Sequence, residues 1–384
     1  MSLTRRNFLS LSPGIAVALA GCSRSTRTAD SASLEMSIAN LEKRISELMT
    51  KLRIPGASIA IIRNGEILWL KSFGVRDSST GLPVDDDTIF STQSMSKPVF
   101  AYRVMKLCER GVLDLDAPLT RYTSDRFVKD DPRLSEITVR RVLSHTSGLP
   151  NWRSKEDPLK INFAPGTKWS YSGEGYHYLQ SVVTRLTGHM DESQCKKFEA
   201  DFRVCATDFG AYMEANLLGP FGMNSSGYML TPAMMERLAT PHDKDGKPIG
   251  GPQNPVTAID IARYGSAGSL MSTAADYAKF LVEVMQGKPA DDYRLNEASR
   301  REMLKPHIEV PMPFKASWAL GWQIWHLDQG DVVAHGGDFD GWHSQSAFSP
   351  ERKTGFVIVT NGENGYTMIW NELLQPLVEE FIFT

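Results

Sequence analysis

Ser94-Met95-Ser96-Lys97 places a hydroxyl and an amine three residues apart. A serine hydroxyl is a weak nucleophile at its own pKa and needs a base beside it. On a helix, residues i and i+3 share a face. A lysine whose pKa is lowered by partial burial can then take or relay the serine proton. The pattern alone is unspecific, because Ser193-Gln194-Cys195-Lys196 repeats it in the same chain. Three downstream features add to it. Leu143-Ser144-His145-Thr146-Ser147-Gly148-Leu149-Pro150 is a polar loop that shapes a site rather than reacts. Pro165-Gly166-Thr167-Lys168-Trp169-Ser170-Tyr171-Ser172-Gly173 sets a tyrosine in a turn-rich segment. His335-Gly336-Gly337 ends a predicted strand, where two glycines let a backbone come close to a ligand.

Each of these residues also has a plain structural reading. Ser94 can cap a helix with Lys97 solvated beyond it; Tyr171 can be a packed aromatic, as expected of Tyr176 and Tyr178; His335 can close a strand end. Ser96 reads as structural, and Trp169 and Trp322 read as packing residues.

The elements that must hold such a site follow from hydrophobic period. Ile38, Leu41, Ile45, Leu48, Met49 and Leu52 recur at three- and four-residue spacing, which predicts an amphipathic helix over Met36 to Leu52. Ala57 to Arg63, Asn64-Gly65 and Glu66 to Phe73 predict a hairpin. After Ser94 a helix runs through Val99 to Cys108 until Gly111 ends it, with Pro98 tolerated in its first turn. Strand patterns resume at Trp318 to Trp325, Val332 to His335, His343 to Ser349 and Gly355 to Thr360, followed by a closing helix over Met368 to Phe381. Strands at both ends and helices between predict an α/β (α+β) fold. One central antiparallel sheet is built from both termini and flanked by helices, with a mainly helical insertion over about 96–265 and a cleft between the two parts.

The chain of 384 residues has 41% hydrophobic and 23% charged residues, ordinary for a globular protein, and a net charge of −3 that gives no general field for nucleic acid. Residues 1–22 differ: Arg5-Arg6 precede an apolar stretch from Ile15 to Ala20, and small residues lead to Cys22. That order predicts a signal peptide. Thr4 to Leu9 resembles a twin-arginine export signal, and Leu19-Ala20-Gly21-Cys22 resembles a lipobox, so Cys22 is expected to carry lipid and anchor an exported protein facing the periplasm or cell exterior. Residues 23–35 read as a flexible tether and 36–382 as the folded domain. Cys195 and Cys205 can form a disulfide in that compartment, and no Cys and His cluster has zinc spacing, so neither metal nor cofactor is expected.

Taken in order, SxxK, HTSGLP, PGxxWxYS and HGG resemble the serine β-lactamase and penicillin-binding superfamily, in the branch of class C β-lactamases, D-stereospecific peptidases and family VIII carboxylesterases. The resemblance covers about residues 40–380, and Ala267 to Asp276 and Leu320-Gly321-Trp322 support it. It implies Ser94 as the acyl-forming nucleophile, Lys97 as its proton partner, and Tyr171 as a proton carrier whose phenolate nearby cations such as Lys97 favour. His335 stands where the family's KTG lysine often stands. The resemblance places an oxyanion hole at the N–H groups of Ser94 and Asp338, beside Gly336 and Gly337. Trp342 reads first as a packing residue, as Trp169 and Trp322 do, and is the one tryptophan that could instead wall the acyl pocket. His145 and His343 are expected to play supporting parts at most.

Two departures stand out. Where β-lactamases carry the asparagine of Tyr-x-Asn, this chain has Gly173, which weakens amide recognition. A histidine at 335 is expected to make the site's charge change between about pH 6 and pH 8. Both point to a hydrolase of small acyl esters, with a β-lactamase or D,D-peptidase as the rival reading and a slowly acylating penicillin-binding or sensor module as a second.

Overall fold

The computed structural model describes residues 23–124, 127–153, 158–188, 198–249, 258–287 and 289–384. The expected signal peptide with Cys22, the second Ser-x-x-Lys and Cys195 lie outside the described residues, as does the side chain of Cys205, so the expected disulfide falls there too. The chain divides into Met1–Ser46 and Glu47–Thr384. The first helix, α1, spans Ser23–Leu52, so residues 23–35, expected as a flexible tether, are helical. Once the segment from Ile38 onward has nucleated, each added residue gains a hydrogen bond for one fixed residue, and Ala29, Ala32, Leu34 and Glu35 are good or acceptable helix formers.

All later elements belong to the second unit. The strands are β1 (Gly56–Arg63), β2 (Glu66–Asp77), β3 (Leu82–Pro83), β4 (Phe90–Ser91), β5 (Met271–Ser272), β6 (Ile308–Val310), β7 (Ala316–Trp318), β8 (Gln323–Leu327), β9 (Gly330–Phe339), β10 (Trp342–Ser349) and β11 (Thr354–Thr360). Nine of them form one antiparallel sheet in the order β3-β2-β1-β11-β10-β9-β8-β7-β6, and β4 pairs with β5 separately. The two ends of the chain meet where β1 pairs with β11, with Ala57 opposite Thr360. The hairpin turn at Asn64-Gly65 has φ of 55° and 72°, the left-handed pair that a two-residue turn of matching twist needs.

The strand expected over Trp318 to Trp325 is two strands, β7 and β8, parted by a turn in which Gly321 has φ 88°. β9 extends past its expected end, so His335-Gly336-Gly337 lie inside a strand rather than at its close.

The helices after α1 are α2 (Ser96–Glu109), α3 (Val139–Leu143), α4 (Gly173–Thr187), α5 (Phe198–Met213), α6 (Pro232–Met235), α7 (Ala258–Gly268), α8 (Ala274–Gln286), α9 (Glu297–Leu304) and α10 (Leu374–Phe381). The closing helix begins as a π-helical stretch, Thr367–Leu373, before α10. Every residue of β10 and β11 is buried, so this part of the sheet is covered on both faces. α8 packs on β1, β2 and β11, and α10 packs on β1 and β11. α2, α4, α5 and α7 form the helical layer, and the short 3-10 turn Gln93–Met95 that opens α2 touches α7 on one side and β9 and β10 on the other. The expected cleft between sheet and helices is therefore where Ser94 sits.

Candidate active site

Ser94 lies in that 3-10 turn, and α2 proper starts at Ser96. The turn is fixed from several directions. Gln93 takes a left-handed φ of 48°, unusual for a residue with a side chain. Thr92 donates its N–H and its hydroxyl to Leu270 O at 3.0 and 2.8 Å. Ser96 Oγ donates to Gln93 O at 2.6 Å and accepts from Leu270 N at 2.9 Å, which is the structural part expected of it. Tyr277 Oη donates to Met95 O at 2.9 Å. Ser94 thus stands on a rigid platform, partly open to solvent.

Lys97 is 1% exposed, and its Nζ donates to Ser94 Oγ at 3.2 Å and to Ala267 O, on α7, at 2.7 Å. Burial without a carboxylate partner disfavours the ammonium and lowers its pKa from 10.5 to about 7. A large fraction of Lys97 is therefore neutral at physiological pH and able to accept the Ser94 proton. The Lys97 amine lies 4.7 Å from the centre of the Tyr171 ring and 5.6 Å from that of Tyr176.

The Tyr171 hydroxyl is hydrogen-bonded to Ser94, but burial outweighs that bond and raises the phenol further above its usual range. The phenolate expected from neighbouring cations is accordingly disfavoured: Lys97 is itself half neutral, and desolvation penalises the anion. Tyr171 is a protonated hydroxyl that can donate or relay, and Lys97 is the neighbouring group whose lowered pKa lets it accept a proton.

His145 and His335 flank Tyr171 with ring centroids 4.2 and 6.4 Å away, and both rings contact Trp318, at 4.8 and 5.6 Å. His145 is fully buried in a left-handed conformation, φ 56°. Its carbonyl accepts from Ser170 N at 2.8 Å and its Nδ1 accepts from Ser172 N at 3.0 Å. Both neighbours of Tyr171 in the chain are thus held by one histidine. His145, expected to play a supporting part at most, positions the Tyr171 segment, and the signal for that part was its place inside HTSGLP.

His335 is 4% exposed and donates Nδ1–H to Gly336 O at 2.7 Å. Burial first, and the Lys97 charge second, lower its pKa from 6.5 to about 3. His335 is neutral throughout the physiological range, which overturns the expectation that it titrates between pH 6 and pH 8.

Gly337 is where β9 closes on the nucleophile turn. A Cβ there would stand 2.2 Å from Thr92 O and 3.0 Å from Ser94 N. The close approach anticipated from the paired glycines is real, but the backbone that approaches belongs to the chain itself. Asp338 follows, exposed, its Oδ1 2.8 Å from His343 Nδ1. Trp342 is 8% exposed and packs edge-on against Phe90, with centroids 6.2 Å apart, as part of the main hydrophobic core. It packs as a core residue, even though its cross-strand partner Phe339 is exposed.

Gly173 opens α4, capped by Ser172 Oγ, which accepts from Gly175 N at 2.9 Å. The place a side chain would take is already filled: a Cβ on Gly173 would lie 2.3 Å from Cη2 of Trp152. The Trp152 segment is pinned there by Asn151 Oδ1, which accepts from Gly173 N at 3.0 Å, and by Arg153, which pairs with Glu174 at 2.6 Å. Burial works against the Glu174 charge, but hydrogen bonds from His177 and Arg153 outweigh it and hold its carboxyl low, at about 2. Among the described residues, no group of three or more His, Cys, Asp or Glu side chains could hold a metal ion.

The site therefore brings together a serine hydroxyl and a neutralisable amine from the turn that opens α2 and a hydrogen-bonded phenol from a distant segment. A family model described as Beta-lactamase matches residues 41–373. The chain is 29% identical to Esterase EstB of Burkholderia gladioli, over 78% of this chain and 81% of that one. It is 25% identical to Penicillin-binding protein 4 of Amycolatopsis lactamdurans, over 88% and 90%. With Putative beta-lactamase-like 1 of Homo sapiens it shares 26% identity over 86% of this chain, spanning 65% of that protein's length. Among solved structures, the octameric penicillin-binding protein homologue from Pyrococcus abyssi aligns with TM-score 0.70 at 24% identity, covering 88% of this chain and 78% of that one. A class C beta-lactamase aligns with TM-score 0.70 at 19% identity, covering 90% and 97%. The fold, the ordered motifs and the family match over most of its length agree: this chain belongs to the beta-lactamase family of serine hydrolases.

Proposed function

We propose that the protein hydrolyses small acyl esters through a covalent acyl-Ser94. The observation that carries this reading is the Lys97 amine 3.2 Å from Ser94 Oγ, its pKa lowered to about 7 by burial. Neutral Lys97 takes the Ser94 proton as Oγ bonds to the substrate carbonyl carbon. Charge developing on the carbonyl oxygen is met by the N–H groups of Ser94 and Asp338, an arrangement that Gly337 permits by bringing β9 against the Ser94 turn. The tetrahedral species collapses, the bond to the alkoxy leaving group breaks, and Lys97 returns the proton to that group through the Tyr171 hydroxyl. A water then attacks the acyl carbon by the same route in reverse, releasing the acid and restoring Ser94. His335, neutral and without a charge of its own, contributes shape and a ring nitrogen rather than a cation.

Preference for esters over amides rests on Gly173. The position that would supply an amide-binding asparagine carries no side chain, and an indole fills the space. Turnover of p-nitrophenyl acetate and butyrate, labelling by a fluorophosphonate, and a Ser94→Ala variant test the reading. Undiminished turnover in Ser94→Ala refutes it, and nitrocefin hydrolysis at rates near those of the esters would favour the β-lactamase alternative. A stable acyl-protein without turnover, seen by intact mass, would favour the slowly acylating module.

We also propose that the protein is exported and held at a membrane by lipid on Cys22, from the order of charge, apolar stretch and small residues in 1–22. Cys22→Ser should move the protein from the membrane fraction to the soluble fraction of its host, and unchanged fractionation would reject the anchor.

A further inference from the structure

Trp152 is the one tryptophan among the exposed large apolar side chains of the described residues, at 42% exposure. An indole partly left in water forgoes apolar burial, so its placement needs a reason. Its surroundings are specific. It meets Tyr264 of α7 edge-to-face, with centroids 4.8 Å apart and planes at 87°. It covers Gly173 so closely that no side chain fits there. Gly173 is two residues beyond Tyr171, and Tyr264 is one helical turn before Ala267, whose carbonyl holds Lys97. The aromatic pair therefore bridges the two segments that carry the phenol and anchor the amine, and lies at the edge of the site rather than on a remote surface.

The polar groups beside the indole are engaged within the protein. Asn151 Oδ1 accepts from Gly173 N, and the Glu174 carboxylate accepts from Arg153 N at 3.0 Å and from its guanidinium. What this flank offers a ligand is a flat apolar surface whose orientation is set by Tyr264 and whose position is set by the Asn151 and Arg153 contacts.

We propose that Trp152 is a specificity-determining residue that forms the subsite for the acyl group, selecting acyl chains that end in an aryl ring over those that carry an amide. The proposal rests on the acyl-Ser94 reading. An aryl group can stack on or lie edge-on to the indole. An amide there would lose hydration without gaining the side-chain partner that an asparagine at 173 would provide.

Boronic acids test this without requiring ester turnover, because a serine adds to boron reversibly. Oγ forms the B–O bond, boron becomes tetrahedral, and the serine proton passes to the neighbouring base. Calorimetric dissociation constants are to be compared for benzylboronic, methylboronic and acetamidomethylboronic acids. The wild-type protein should bind the benzyl compound about tenfold more tightly than either of the others. Trp152→Ala should reduce the benzyl-to-methyl ratio to about one, while Trp152→Phe should retain most of it. Gly173→Ala, which leaves the indole in the chain but forces it from its place, should reproduce the Trp152→Ala ratio.

A ratio unchanged in Trp152→Ala, or a wild-type preference for the acetamido compound, overturns the proposal and leaves acyl-Ser94 chemistry standing. Tight, benzyl-selective binding alongside no ester turnover overturns the esterase reading and leaves Trp152 standing. Failure of every boronic acid to bind, with Ser94 inert to a fluorophosphonate, overturns both.

Discussion

Two glycines border the nucleophile, and they are glycines for different reasons. At Gly337 the missing side chain lets the protein's own backbone close: β9 presses on Thr92 and Ser94, and a Cβ would stand 2.2 Å from a carbonyl oxygen that has little freedom to move. At Gly173 the missing side chain makes room for another residue's side chain, the half-exposed indole of Trp152. The first keeps the reacting atoms in register, and the second determines what lies beside them. The same residue type within a site motif thus marks a close backbone approach on one flank and, on the reading proposed above, substrate choice on the other.

The largest effect should come from Gly337→Ala. Pushing β9 off the Ser94 turn should lower the rate of Ser94 acylation about 10³-fold, measured as burst kinetics with p-nitrophenyl acetate, and should also lower the melting temperature. A Gly337→Ala enzyme as fast as wild type would erase the distinction between the flanks. Next, His145→Phe removes the acceptor for Ser172 N and frees the segment carrying Tyr171. We expect kcat to fall about 10²-fold with KM little changed, since His145 positions Tyr171 and is not proposed to touch substrate. A matching loss in His145→Asn would show that ring shape matters, whereas partial rescue by Asn would show that the hydrogen bond does.

The pH dependence separates the two candidate titrating groups. With Lys97 lowered to about 7, kcat/KM should rise with pH through that value as the amine loses its proton, and His335→Gln should leave the inflection there. An inflection that moves with His335→Gln would restore the histidine as the titrating group. Stability carries the complementary sign. His335 has a pKa of about 3 in the fold against an ordinary 6.5, so between those values the unfolded chain binds the extra proton. The contribution of neutral His335 is present above 6.5 and is lost as pH falls toward 3, and His335→Gln should flatten that acid-side loss in a series of thermal melts. The smallest effect should be the stability cost of Gly173→Ala. Its clash is with the far end of an exposed side chain, so its melting temperature should fall by less than that of Gly337→Ala.

The parts of this molecule that local pattern controls were legible in the sequence. Alternation and Asn64-Gly65 located the hairpin, three-residue spacing put Ser94 and Lys97 on one face, and strand patterns at both ends placed the sheet's two contributions in one layer. What depends on depth was not legible. The tenfold-per-unit consequences of desolvation at Lys97, Tyr171 and His335 follow from how much protein surrounds each, and residue type alone suggested a phenolate and a titrating imidazole that the fold does not support. Nor could contacts between distant segments be read. Trp152 over Gly173 and His145 beneath Tyr171 arise because loops separated in the chain converge.

The bond from Lys97 to the carbonyl of Ala267 joins residues 170 positions apart. Ser94, Lys97 and Tyr171 all leave the ribosome well before α7 and β9 exist. Until those arrive, the lysine is hydrated and fully protonated, and its serine has no acceptor. On the mechanism proposed above, a base created by burial leaves the chain inert while unfinished, so a nascent or partly unfolded copy would not cleave the acyl compounds around it.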